Sequence, residues 1–241
     1  MLQAISLAVR PGNRFDQTKV PICILCPAIL LAVAFLLVNT ARADDVLFED
    51  TFKDGLSPKW QVVNLDKKDY RVKDGGLEMR VQNGERVKDV PMFKVVLPFK
   101  VGDSVTASVK VTLLDEFTAD KEYAGMFLLT HGGREFAAKK ERVNGKLVFS
   151  PGKYTKKKGE EGSNYEVTYT DATENAALRI ILQRQIGFFQ VGPLAKDEYK
   201  TFFHSDLNDD AKERGFCLTA EGAPDKAVHW VRFTNFKVVK H

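Results

Sequence analysis

Past residue 43 the sequence predicts an all-β fold, two antiparallel sheets stacked as a sandwich, and three observations carry that prediction. Short runs rich in Val, Phe, Thr and Tyr recur, separated by Gly, Asp, Asn and Pro. The cleanest run, Ser104–Leu114, alternates strictly: Val105, Ala107, Val109, Val111 and Leu113 point one way, Thr106, Ser108, Lys110 and Thr112 the other. No helical stripe of useful length interrupts the series. Many strands with one apolar face each are best buried as two facing layers.

Residues 1–43 read as a cleaved signal peptide. Arg10, Arg14 and Lys19 precede the charge-free run Ile22–Val38, which exits through Ala41-Arg42-Ala43. A basic head, an apolar middle and a small-x-small end are the layout of a secretory leader. The expectation is an exported chain, periplasmic, envelope-bound or secreted, whose single domain spans residues 44–241. A run of this length is near the minimum for a membrane span, so an uncleaved leader is the one route to a membrane. Arg10, Arg14, Lys19 and Arg42 against Asp16 also account for most of the net charge of +4. A nearly neutral remainder argues against nucleic acid as partner, because that needs a concentrated positive face. Cys23 and Cys26 leave with the leader, and Cys217 alone remains, so no disulfide framework can form. Flanked by Phe216 and Leu218, Cys217 reads as a buried strand thiol.

Strands are expected in order at Val46–Phe52, Trp60–Val63, Tyr70–Lys73, Leu77–Val81, Lys94–Phe99 and Ser104–Leu114. Asp74-Gly75-Gly76 between two of them reads as a tight hairpin turn. Tyr123–Leu129 is apolar on both faces, which suits a central strand covered on both sides or lining a pocket. Further strands are expected at Lys146–Ser150, Tyr165–Tyr169, Leu178–Ile186, Phe188–Val191, Tyr199–Phe203, Gly215–Ala220 and Val228–Val239. Lys153–Gly162, with charges that largely cancel, reads as a solvated loop tip, and Ser205–Arg214 as a loop with one helical turn.

Phe48-Glu49-Asp50-Thr51-Phe52, followed by Gly55-Leu56-Ser57-Pro58-Lys59-Trp60, resembles the opening of concanavalin A-like lectin/glucanase domains. Tyr70–Leu77 continues the likeness, and Gly215–Ala220 with Val231–Val238 resembles the closing pair of strands. Leu178–Gln183 and Gly187–Val191 look like the central hairpin of that group. The ending is also similar to laminin-G-like and exported bacterial jelly-roll domains. The resemblance implies a jelly roll whose terminal strands pair at one edge, with Trp60 and Phe236 in the core. It also implies a concave sheet on which such domains bind or cleave glycans, so carbohydrate or polysaccharide is the expected partner.

Catalytic residues are not assigned by the sequence. The E-x-D-x-x-E strand of the β-glucan-cleaving members is absent. The adjacent acids Asp115-Glu116 and Glu160-Glu161 make no carboxylate couple, since neighbours on a strand face opposite ways. Gln185-Ile186-Gly187 lacks the histidine of the Q-I-H triplet of jelly-roll lyases. The histidines show no metal spacing. Asp206, Asn208, Asp209 and Asp210 offer oxygens of the kind calcium prefers, but without the EF-hand glycine and closing glutamate, so no cofactor is expected beyond that weak structural-calcium alternative. Sugar recognition calls for aromatic platforms and planar polar groups. The residues expected to line one ligand face are Tyr123, His131, Arg134, Arg179, Gln183, Gln185 and Trp230, with Trp230 as the exposed stacking residue. The leading expectation is a non-catalytic carbohydrate-binding domain. A glycoside hydrolase acting on small or modified sugars through fold-assembled acids, and a structural envelope protein, are the alternatives.

Overall fold

Alternation leaves each strand with one face that must be covered, and in the computed structural model two sheets cover each other. The structure describes residues 44–84, 89–100, 102–130, 133–156, 163–167, 170–171, 176–193, 199–207 and 214–241. The chain runs through β1 (Asp45–Asp50), β2 (Gln61–Val63), β3 (Tyr70–Lys73), β4 (Gly76–Arg80), β5 (Gln82–Asn83) and β6 (Met92–Leu97). It continues through β7 (Val105–Leu113), β8 (Tyr123–Thr130), β9 (Gly133–Val143), β10 (Lys146–Phe149), β11 (Gly152–Lys156) and β12 (Ser163–Val167). The last strands are β13 (Thr170–Asp171), β14 (Ala176–Gln183), β15 (Ile186–Pro193), β16 (Lys200–Asp206), β17 (Arg214–Ala223) and β18 (Trp230–Lys240).

Among the described residues one sheet has eight strands in the order β16-β15-β14-β7-β18-β4-β3, with β1 also paired to β18. The other has ten, ordered β12-β11-β9-β8-β17-β6-β2, with β10 beside β9, β13 beside β10 and β5 beside β17. Pairing is antiparallel except for the short β5–β17 contact. Val105, Ala107, Val109 and Val111 of β7 point inward, as the alternation predicts, and share one core with Met126, Leu128, Phe216 and Leu218 of the other layer. The fold is concanavalin A-like. First and last strands pair, Asp50 opposite Phe236, and the Trp60 and Phe236 rings lie 5.0 Å apart in the core.

The structure explains the opening motif. The Asp50 carboxylate accepts hydrogen bonds from Phe52 N at 2.7 Å, Ser57 N at 3.1 Å and Trp60 Nε1 at 2.9 Å. This one buried acid closes the turn after β1, holds Phe52 at a positive φ of 58° and aims the indole into the core. The Asp74-Gly75 turn has both residues at positive φ, 50° and 68°, the geometry a two-residue hairpin requires.

Two strands depart from expectation. β9 was not anticipated, because Arg134, Glu135, Lys139, Lys140, Glu141 and Arg142 break every apolar alternation, yet Glu135, Lys139, Lys140 and Glu141 are buried. The expected loop tip at Lys153–Gly162 begins as a strand instead. β11 pairs with both β9 and β12, so backbone pairing overrides the charge run as far as Lys156. The leader, His131, Glu160-Glu161 and Asn208, Asp209 and Asp210 of the oxygen cluster lie outside the described residues. Among the described residues no helix is long and apolar enough to cross a membrane.

Candidate functional site

On β8, Ala124, Met126 and Leu128 enter the sandwich core, so Tyr123, Gly125, Phe127 and Leu129 face outward. An outward face would ordinarily be wet. Here Tyr123, Phe127, Leu129, Ala137 and Cys217 are buried and form a second apolar cluster, apart from the main core. Strand register arranges this outer face in rows. Glu221 on β17, Tyr123 on β8 and Glu141 on β9 lie abreast. The next row is Thr219, Gly125 and Lys139, and the next Cys217, Phe127 and Ala137.

Polar groups on this floor are fixed by one another. A β-bulge at Leu128/Leu129 brings Arg134 into register with Leu129. From there its guanidinium lies over the Phe127 ring, 5.0 Å from the centroid. Its Nη1 donates to the Tyr123 hydroxyl at 2.7 Å and lies 3.4 Å from Glu221 Oε1. Thr219 Oγ1 contacts the same carboxylate oxygen at 3.1 Å and the Pro91 carbonyl at 2.7 Å. Across the row, Glu141 accepts from Ser150 Oγ at 2.5 Å and pairs with Lys139 at 3.1 Å. The Lys139 ammonium lies 4.5 Å from the Tyr123 ring centroid. The Tyr123 hydroxyl is therefore held by Arg134, and a cation lies against its ring. Cys217 sits beneath this network, and burial pushes its thiol up to about 12, outweighing the nearby Arg134. It is a buried, protonated thiol at neutral pH.

The expected ligand residues do not share one face. Tyr123 and Arg134 meet on the ten-stranded sheet. Arg179, Gln183 and Trp230 belong to the outer side of the eight-stranded sheet, since Leu178, Ile180, Leu182, Val231 and Phe233 fill the inner positions of β14 and β18. Gln185 is exposed in the β14–β15 turn. β8 and β14 lie in different layers, so their outward side chains point to opposite sides of the sandwich. Trp230 is half-buried rather than an open platform, because the Arg71 guanidinium lies over its ring at 4.4 Å. Arg179 likewise stacks on Tyr199 at 3.4 Å.

Glu221, Thr219, Lys139, Glu141 and Ser150 were missed. For Glu221 part of the signal was present: extending the alternation of Cys217 and Thr219 past Ala220 places it on their face of β17. Elsewhere, Glu78 is buried between Arg71 at 2.5 Å and Arg232 on the other sheet's outer side. Among the described residues no group of three His, Cys, Asp or Glu is arranged to hold a metal.

No family model matches the chain. No curated protein matches it by sequence. Solved structures do resemble it. The GH43B protein of a xyloglucan utilisation locus of Bacteroides ovatus superposes with TM-score 0.60 at 15% identity, over 79% of this chain and 38% of its own. The chain thus spans well under half of that protein. The CBM2 module of the evolved Dit of Lactobacillus casei BL23 phage J-1 gives TM-score 0.60 at 9% identity, covering 81% of this chain and 95% of the module. Alginate lyase A1-II′, of polysaccharide lyase family 7, gives 0.51 at 8% identity, over 73% and 85%. At these identities the likeness is one of fold.

Proposed function

We propose that residues 44–241 form an exported carbohydrate-binding domain whose ligand face is the outer side of the ten-stranded sheet. One observation carries the reading. Charged and hydroxyl side chains that point away from the core are nonetheless buried and locked into fixed positions around Tyr123 and Phe127. An aromatic floor with a few prepositioned donors and acceptors is what sugar recognition calls for. The glycan-active proteins that share the fold support the same ligand class. The approach runs from the β6 and β2 edge, where Gln61 and Val96 are exposed and Lys94, opposite Cys217, is half-buried.

Pull-down on a panel of insoluble and soluble polysaccharides tests this. Retention on at least one polymer, lost in Arg134→Ala with the fold intact, is expected. A folded protein retained on none overturns the proposal.

A hydrolase is the second reading, favoured by two buried acids, Glu221 and Glu141, on the strands flanking β8. Their Cα atoms are roughly 10 Å apart at two strand spacings. Reducing-sugar release that disappears in both Glu221→Gln and Glu141→Gln would favour this reading over simple binding.

A further inference from the structure

At one end of the sandwich, away from the Tyr123 face, a cleft of about 400 Å³ opens between the two layers. Leu113 at the end of β7, Phe117 and Leu147 on β10 form its apolar wall, and Glu116, Arg142 and Gly145 its polar side. A cleft of this size suits a small ligand.

The cleft is rigidly built. Arg142 is held by its own backbone, its N donating to Glu122 O at 2.9 Å and its O accepting from Lys121 N at 2.8 Å. Its Nη1 donates to Phe117 O at 2.8 Å, which fixes the guanidinium plane. The Asn144-Gly145 turn, with φ of 49° and 76°, is tied to the same loop by Gly145 N donating to Asp120 Oδ1 at 2.9 Å. The loop is secured in turn by buried Glu122. That carboxylate accepts from Thr118 N and Ala119 N at 3.1 and 2.7 Å and contacts His229 Nδ1 at 2.7 Å. Such ordering is completed before any ligand arrives.

Arg142 is only partly used. Its hydrogen bond and its ion pair both run through Nη1; Nε and Nη2 make no hydrogen bond to the described protein. Nη2 lies toward the Gly145 wall, where a Cβ would sit 3.9 Å from it. The ion-pair partner, Glu116, is 3.6 Å away with its side chain 88% exposed. A pair this long and this wet is weak and readily exchanged. One pleat deeper on β9, Lys140 donates to Val111 O at 2.6 Å and adds positive potential behind the guanidinium.

We propose that this cleft is a second ligand site, for the carboxylate of an acidic sugar. The carboxylate displaces Glu116 and takes the free edge of the Arg142 fork, while the apolar face of the ring rests on Phe117 and Leu147. The site is independent of the Tyr123 face and of the reading placed on it.

Titration calorimetry at low salt with galacturonic acid and galactose, which differ at the carboxylate, tests the proposal. Galacturonate is expected to bind about tenfold more tightly than galactose, the worth of a charge-assisted hydrogen bond. Arg142→Met is expected to abolish that preference. Glu116→Gln removes the competing anion at an exposed position that folding does not depend on, and is expected to tighten galacturonate about threefold. Equal affinity for the two sugars, no binding of either to the folded protein, an unchanged preference in folded Arg142→Met, or weaker galacturonate binding in Glu116→Gln overturns the proposal.

Discussion

Asp50 shows how much one side chain can specify. Its two oxygens satisfy two backbone amides and the Trp60 indole, all in a region where the Phe48, Trp60 and Phe236 rings pack on one another. Removing it leaves buried donors unpaired, and Asp50→Ala is expected to lower stability by about 2–4 kcal/mol in urea unfolding. Glu78 is a different kind of anchor. Burial pulls its carboxyl upward, but hydrogen bonds from Arg232 and Arg71 outweigh this and hold it below the ordinary 4.5. The unfolded chain therefore takes up this proton first as pH falls, so the stability that Glu78 contributes is present above pH 4.5 and lost below it. Glu78→Gln is expected to cost about 2 kcal/mol at pH 7. The gap between variant and wild type should close as unfolding is followed down to strongly acidic pH; a gap that does not depend on pH would remove Glu78 as its source.

Among the elements, β8 and β9 carry the site, and the spacing between them depends on Gly125. A Cβ there would lie 2.3 Å from the Ala138 carbonyl oxygen and 2.8 Å from Lys139 Cα. Relief requires separating the two backbones, which would also move Tyr123 from Lys139 and Arg134. Gly125→Ala is expected to destabilise by about 2–4 kcal/mol, while the volume-conserving Met126→Leu on the inner face of the same strand costs less than about 1.5 kcal/mol. A loss in Gly125→Ala no larger than that in Met126→Leu, measured by denaturant unfolding, would show that the strand tolerates a side chain at this position on its outer face. β9 itself illustrates why charged strands escape detection. Lys139 pairs with Glu141 on the same strand, Ser150 donates to Glu141 and Lys140 donates to the Val111 carbonyl, so their burial rests on specific contacts that leave no mark in local hydropathy.

At the scale of the molecule, Cys217 reports on cooperativity. It lies on β17, between β6 and β8 in the ten-stranded sheet, and is fully buried. Local fraying does not expose such a position. A thiol reagent is expected to leave the native protein unmodified and to react at a rate that follows global unfolding as urea is raised. Fast labelling in the absence of denaturant would mean that the outer face opens on its own.

The sequence by itself determined the all-β class, most strand positions and the Asp-Gly hairpin. Each of these follows from period-two alternation or a local turn preference, and such preferences are properties of neighbouring residues. Tertiary structure alone decided which strands share a layer. That choice parted Tyr123 and Arg134 from Arg179, Gln183 and Trp230, brought Glu221 and Glu141 to either side of Tyr123, and set Arg142 at the mouth of a cleft. Pairings between strands far apart along the chain are fixed by how the whole core is filled, and no short stretch of sequence contains that information.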